Sequence, residues 1–186
     1  MVFETNLPFA RIRSVLLAFA LSNGGPLKLA EVQRKTRVST PTLRKLLTAF
    51  EALFLLRVQP SEGGRSAPIV WFEDLGEWSR LTGQAASLDH FVFSQVRLPF
   101  AYLAGQRAEF FQYRTRGGAL VPVCLRADRG TAGFIPLNDS DPSRSQILSA
   151  ESFLKRYADS KVIFVHPERD WRRISDRILV APISAF

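Results

Sequence analysis

Two adjacent helical patterns in residues 28–57 constrain the fold of this chain more than any other feature of the sequence. In the second pattern, apolar side chains recur every three or four residues, which places them on one helix face. They are Leu43, Leu46, Leu47, Phe50, Leu53 and Phe54. Ser39 can cap this helix with its hydroxyl, and Pro41 suits the first turn because its missing N–H costs little there. A short helix over residues 29–36, a tight turn and this longer helix predict a helix-turn-helix.

Small polar and cationic side chains surround the start of the longer helix and lie off its apolar face. A helix that enters a nucleic-acid groove presents such groups to base edges and phosphates. The predicted contact residues are Thr40, Thr42, Arg44 and Lys45 in the longer helix, with Arg34 and Lys35 in the shorter one. The turn carries Arg37 where many such turns have glycine in a left-handed conformation.

A first helix over residues 6–21 precedes this pair, and a β-hairpin follows it. Its strands are predicted over residues 56–59 and 67–72, with a glycine-containing loop between them. Three helices followed by a hairpin form a winged helix, in which the loop is the wing. Arg65 lies in that loop and is predicted to contact a phosphate or the minor groove. The alternative is a solvated arginine without a partner.

Basic residues are concentrated in the first third of the chain. Residues 1–57 contain nine Lys or Arg and three Glu, whereas the rest contains sixteen basic and fourteen acidic residues, for a net charge of +8. Binding to phosphates through the first part is consistent with this asymmetry. A basic face that serves only solubility is the alternative.

The second half of the sequence predicts an α/β domain with a mixed sheet. Helices are expected over residues 88–104, with an interruption near Pro99, and over 149–157; strands are expected over 109–116, 119–125, 131–137, 162–165 and 179–183. Pro122 and Pro136 predict edges, bulges or irregular backbone, because proline cannot donate to a sheet ladder. A small polar segment after residue 80 predicts two domains, 1–80 and 81–186.

The order of these segments resembles the C-terminal region of a large prokaryotic family of AAA-type ATPases. In that family, a winged helix is followed by a domain related to the restriction-endonuclease-like (PD-(D/E)XK) fold. The resemblance rests on VSTPTLRKLLTAFEALFLL, IVWFEDLG, LDHFVFSQV and FFQYRTRGG, and it runs from about Pro8 to Pro182. It implies an α+β chain: an N-terminal winged helix-turn-helix followed by a small α/β restriction-endonuclease-like domain.

The resemblance also implies which activities are missing. No G-x-x-x-x-G-K-[ST] loop is present, so the chain lacks the ATPase half of the family. Nuclease members hold a divalent cation with an acidic residue on the first helix, an Asp after the hairpin turn and a Glu-x-Lys on the next strand. Asp89 matches the helix position, but Pro122, Pro136 and Asn138 stand where the Asp, Glu and Lys are expected. We therefore expect no catalytic residue, no metal site and no cofactor. The carboxylates that could be recruited instead are Asp128, Asp139 and Asp141.

The sequence also predicts that the protein neither spans a membrane nor is secreted. No apolar run reaches the roughly 18–20 residues that cross a bilayer, and the first residues lack the order of a signal peptide. Cys124 is the single cysteine, which rules out an intrachain disulfide and is typical of a reducing compartment. We therefore predict a cytoplasmic protein without a membrane partner.

Three functions are consistent with these features. The first is DNA binding by the winged helix, with a catalytically silent nuclease-like domain that adds phosphate contacts or a dimer surface. The alternative is a protein-interaction or dimerisation module that binds itself or an ATPase partner, since fifteen Phe and three Trp can leave an apolar patch. An active metal-dependent nuclease is the least favoured.

Overall fold

The computed structural model describes residues 7–62, 66–102, 108–128, 130–139, 141–167 and 170–186, with backbone only for 99–102. This part of the chain contains six α-helices and eight β-strands, which confirms the predicted α+β class with a mixed sheet. The chain divides into two compact units, one of residues 1–59 and 67–86 and the other of residues 60–66 and 87–186. The hairpin loop therefore belongs to the second unit, whereas the hairpin strands belong to the first.

Helices α1 (Phe9–Ala20), α2 (Leu29–Thr36) and α3 (Thr40–Ala52) form most of the first unit. Their apolar faces meet in one core. Its buried members include Val15, Phe19, Val32, Val38, Leu43, Leu46 and Phe50. The rings of Phe19 and Phe50 meet edge to face with centroids 6.1 Å apart, so α1 and α3 pack directly together.

Helix α3 ends two residues before the predicted apolar stripe does. The expectation that Leu53 and Phe54 continue the buried face is wrong, because their side chains are 65% and 67% exposed. Phe54 has a φ of 57°, in the left-handed region, and turns the chain out of the helix. A periodic pattern does not reveal this end, since an aromatic residue is unusual at positive φ.

Strands β1 (Leu56–Gln59) and β2 (Ile69–Phe72) form an antiparallel hairpin close to the predicted positions. The segment 23–27 between α1 and α2 lies along β2, and the Gly24 N–H donates to the Val70 carbonyl at 2.8 Å. The sequence did not predict this pairing, because an Asn-Gly-Gly-Pro run is typical of a turn.

A fourth helix, α4 (Leu75–Thr82), completes the first unit. Asp74 caps it, with Oδ1 accepting the Glu77 N–H at 2.8 Å. Trp78 is buried, and its indole N–H donates to the Ala20 carbonyl at 2.8 Å, which fixes α4 against the end of α1.

The second unit combines two helices with a six-stranded sheet. The helices are α5 (Leu88–Tyr102) and α6 (Arg144–Arg156); the strands are β3 (Glu109–Arg114), β4 (Leu120–Ala127), β5 (Gly130–Pro136), β6 (Ser160–His166), β7 (Arg172–Arg173) and β8 (Ile178–Pro182), followed by a 3-10 turn, Ile183–Ala185. The spatial order is β3-β4-β5-β6-β8-β7. Strands β3, β4 and β5 are antiparallel, β6 runs parallel to β5 and to β8, and β7 is antiparallel to β8.

The two prolines that were predicted to disturb the sheet lie in β4 and β5. Pro122 lies at a bulge, where β4 has one more residue than β3 between Val121 and Cys124. Pro136 is the last residue of β5. The expectation of an edge, a bulge or irregular backbone is confirmed at Pro122, whereas Pro136 pairs in regular register with Val165 in a central strand.

The two helices of this unit differ from their predicted limits. Helix α5 continues to Tyr102, so the expected interruption near Pro99 is wrong. Helix α6 begins five residues earlier than predicted, at a capping box in which Ser143 Oγ accepts the Gln146 N–H at 3.3 Å and Gln146 Oε1 accepts the Ser143 N–H at 2.9 Å. Among the helices in the described ranges, none has the length and apolar character needed to span a bilayer.

Helix α6 packs on the sheet over a glycine. A Cβ at Gly133 in β5 would lie 2.9 Å from Val121 Cγ1 and 3.2 Å from Phe153 Cε1. The absent side chain therefore lets Phe153 of α6 approach the strand. The Phe153 ring also meets Tyr113 edge to face, with centroids 5.4 Å apart.

Candidate nucleic-acid interface

A short turn sets the relation between α2 and α3. Arg37 caps α2 with φ 56° and ψ 29°, and its N–H donates to the Gln33 carbonyl at 2.8 Å. Val38 follows and is buried in the core. Ser39 then caps α3, with Oγ accepting the Thr42 N–H at 3.5 Å, which confirms the cap predicted from the sequence.

Five basic side chains on α2, the turn and the start of α3 are exposed. They are Arg34, Lys35, Arg37, Arg44 and Lys45. Within the part of the chain that the structure describes, no carboxylate lies at ion-pair distance from any of them. Their charges are therefore available to an external anion.

Glu31 is the single acidic residue between positions 28 and 45, against six basic ones. Its carboxylate Oε1 lies 3.0 Å from Lys28 Nζ. The hydrogen bond and charge of Lys28 lower the pKa of Glu31, and the charges of Arg34 and Lys35 lower it further. Glu31 is thus ionised at neutral pH and balances Lys28, which leaves the surrounding surface positive.

Thr40 and Thr42, both predicted contacts, are half-buried at the start of α3. Thr40 Oγ1 donates to Gln33 Oε1 at 2.7 Å, and Thr42 Oγ1 lies 2.9 Å from Ser39 Oγ. Each hydroxyl therefore helps to organise the helix start, and each oxygen retains capacity to accept a further hydrogen bond.

Six of the seven predicted contact residues lie on α2 and the first half of α3. They are Arg34, Lys35, Thr40, Thr42, Arg44 and Lys45. The seventh, Arg65, lies outside the described residues.

Two exposed residues of α2 and the turn, Arg37 and Gln33, were not among the predicted contacts. In the sequence, Arg37 was noted as the residue that replaces glycine in the turn, and its exposed cation was not predicted as a contact. Gln33 lies in the middle of α2 and is exposed. Its place beside Thr40 depends on how the turn folds, because the two residues are seven positions apart and in different helices.

The four positions at which the resemblance predicts nuclease ligands offer one carboxylate, that of Asp89. Asp89 is half-buried in α5, and burial raises the pKa of its carboxyl group. Pro122 and Pro136 have no side-chain oxygen, and Asn138 is exposed. In the described ranges, no three His, Cys, Asp or Glu side chains are placed to hold a metal ion. Cys124 is fully buried, and burial raises the pKa of its thiol, so it is not a thiolate at neutral pH.

No protein-family model, no curated protein and no solved structure matches this chain. Its function is therefore inferred from the geometry and charge of its own residues.

Proposed function

We propose that this protein binds double-stranded DNA through α2 and α3. One observation carries the proposal: five exposed cations surround a capped turn between two helices, and none has a carboxylate partner in the described part of the chain. Cations in this arrangement bind phosphates and release condensed counterions, which is the main source of affinity in protein–DNA association.

The composition of residues 28–45, which include α2, the turn and the start of α3, favours a duplex over a single strand. Residues 28–45 contain no Phe, Tyr or Trp. Proteins that bind single strands or RNA loops usually stack bases on aromatic side chains, and this face offers none. A helix with a polar first turn instead fits the major groove of B-DNA, which is about 12 Å wide. Thr42, Arg44 and Lys45 would face the groove.

The topology of the first unit supports a winged helix. Three helices precede the β1–β2 hairpin, and segment 23–27 makes two isolated bridges to β2, Asn23 with Val70 and Pro26 with Ile69. The loop after β1 would be the wing, although its residues group with the second unit. Its first residue, Pro60, accepts a hydrogen bond from the Gln112 N–H at 3.0 Å, and Arg65 further along the loop stays a predicted contact.

In this proposal, the second unit assists DNA binding and has no catalytic role. Helix α5, antiparallel β3 to β5, helix α6 and parallel β6 follow the helix–strands–helix–strand order of the nuclease-like fold. Of its expected ligands, Asp89 alone is a carboxylate, and Mg²⁺ needs several oxygen ligands. The unit would add phosphate contacts or a surface for a second copy or an ATPase partner.

A fluorescence-anisotropy titration tests DNA binding, with a labelled duplex and the same sequence as a single strand. We expect the duplex to bind with a Kd of about 10⁻⁶ to 10⁻⁴ M at physiological salt, with a steep loss of affinity as salt increases. The double variant R44E/K45E should abolish this binding. The matched control is K155E/K161E, which makes the same charge change on exposed residues of the second unit.

Three outcomes would contradict the proposal. They are absence of duplex binding at low salt, binding that does not depend on salt, and an equal loss of affinity in the control variant. Circular dichroism of each variant establishes that a loss of binding is not a loss of fold.

A further inference from the structure

The turn that ends α3 places an aromatic residue in a position that favours glycine. The Leu55 N–H donates to the Phe50 carbonyl at 3.0 Å, and the Phe54 N–H donates to the Glu51 carbonyl at 3.1 Å. These two bonds define a Schellman motif, whose left-handed residue is Phe54 with φ 57°. Glycine is preferred there because a Cβ is sterically disfavoured.

The side chain of Phe54 gains little burial in return for this strain. It is 67% exposed, and its neighbours Leu53 and Leu55 are 65% and 37% exposed. Three consecutive exposed apolar residues are typical of a binding surface. Strained backbone likewise concentrates at ligand-binding sites, so both observations indicate function.

The ring of Phe54 is held in place by a cation. Arg57 Cζ lies 5.1 Å from the centroid of the Phe54 ring, and Arg57 Nε lies 2.5 Å from Glu73 Oε1. Because Glu73 fixes the guanidinium, the ring is positioned before any ligand arrives.

Phe54 lines a pocket of about 200 Å³ in the first unit, together with Leu16, Leu55 and Leu81. Pockets for drug-sized ligands have volumes of about 300–1,000 Å³, whereas a cavity of about 150 Å³ accepts benzene. The pocket is therefore of a size to receive one apolar side chain, such as Leu or Phe.

Charged residues surround the apolar part of the pocket. Arg13 and Arg80 are exposed, and no carboxylate in the described ranges lies at ion-pair distance from either. Asp74 and Glu77 lie at the N-terminal end of α4, where the backbone N–H groups stabilise negative charge. Because Arg13 and Arg80 have no ion-pair partner in the described ranges, their guanidinium groups can bind the carboxylates of a ligand.

We infer that this pocket docks an acidic peptide segment of a partner protein. The segment inserts one Leu or Phe beside Phe54, and its carboxylates lie against Arg13 and Arg80. Arg44 lies eight positions before the last residue of α3, a helix rise of roughly 12 Å, and Phe54 lies beyond that end, so the pocket is separate from the proposed DNA contacts. This inference does not require that the protein bind DNA.

A peptide-binding titration by fluorescence anisotropy tests the inference. The probe is a short fluorescein-labelled peptide with a central Leu-Phe pair flanked by Glu, and the matched probe has Lys in place of Glu. We expect the Glu probe to bind saturably and the Lys probe not to bind. The R13E/R80E variant should weaken binding of the Glu probe at least about tenfold.

The variant Phe54→Gly tests whether the side chain of Phe54 is needed for peptide binding without destabilising the fold. Glycine relieves the positive φ, so the melting temperature should be unchanged or higher, while affinity for the Glu probe falls at least about tenfold. Leu148→Ala, on a residue that is 55% exposed in the second unit, is the control and should bind normally.

The inference is overturned if the Glu probe does not bind, if both probes bind equally, or if Phe54→Gly binds normally. A dimer that light scattering detects and that Phe54→Gly dissociates would also overturn it, since a second copy would then occupy the pocket.

Discussion

The hydroxyl of Thr40 donates a 2.7 Å hydrogen bond to the carboxamide oxygen of Gln33, joining the start of α3 to the middle of α2. Because the Gln33 oxygen is occupied, its Nε2 group is left to donate outwards. Acceptors for such a group are the phosphate oxygens and the major-groove edges of guanine and thymine. The pair thus orients an amide donor beside five cations.

Thr40→Val tests this role, because valine keeps the shape of threonine and removes the donor. An orienting hydrogen bond contributes about 0.5–1.5 kcal/mol, so we expect duplex affinity to fall by a factor of about 2–13. Anisotropy at fixed salt measures the change. Thr48→Val is the matched control, since the Thr48 hydroxyl donates to the Arg44 carbonyl within α3. Equal effects of the two substitutions would contradict an orienting role for Thr40.

Arg37→Gly should change stability and binding in opposite directions. Glycine accepts the left-handed backbone of this position without the penalty of about 1–2 kcal/mol that other residues pay, so the free energy of unfolding should increase by up to about 1 kcal/mol. The lost cation should weaken duplex binding and reduce the log–log salt slope by about 0.9. Urea unfolding and a salt series measure the two effects. An unchanged salt slope would exclude Arg37 from phosphate contact.

Gly133→Ala should destabilise the second unit by about 1–3 kcal/mol, because its Cβ would lie 2.9 Å from Val121 Cγ1. Thermal unfolding measures the loss. Gly117→Ala is the matched control, since a Cβ there would lie 3.8 Å from Thr115 Oγ1, an ordinary contact. If Gly133→Ala unfolds at the wild-type temperature, Phe153 is not packed against β5 as described.

The carboxyl group of Asp89 should make stability depend on pH. Burial raises its pKa in the native state above the unfolded value of about 3.9, so the native state binds the proton more tightly. The contribution of this group is therefore most favourable below the unfolded pKa and is lost as pH rises through the native pKa.

Asparagine does not titrate, so Asp89→Asn avoids the loss of stability that ionisation of Asp89 causes. The variant should be more stable than the wild type at pH 7. Urea unfolding across a pH series measures the difference. Asp139→Asn, on an exposed residue, should follow the wild-type curve. An asparagine variant that is less stable at pH 7 would indicate that the Asp89 carboxylate has a favourable partner.

Local signals in the sequence predicted much of the fold. The Ser39 cap, the apolar positions of α3 up to Phe50 and the hairpin strands all follow from short-range patterns. The earlier start of α6 was also accessible, because Ser143 and Gln146 form the Ser-x-x-Gln capping pattern. By contrast, the pairing of segment 23–27 with β2 depends on a strand more than forty residues away.

The end of α3 shows why periodicity alone can fail. Leu53 and Phe54 continue the three- and four-residue spacing, yet a Schellman motif ends the helix before them. Nothing in the apolar pattern distinguishes a buried Phe from one in a left-handed turn. The cations of the candidate site were easier to predict, since Arg34, Lys35, Arg44 and Lys45 need only lie off the buried face of their helix.

The assignment of residues 60–66 to the second unit has a consequence for how the protein can be divided. The chain passes between the units after residues 59, 66 and 86. Cleavage by a protease near residue 86 would leave the hairpin strands and loop on one fragment and the rest of the second unit on the other. One cut near residue 86 therefore releases the whole first unit with the loop attached, but no single cut releases the second unit complete, because residues 60–66 stay on the other fragment.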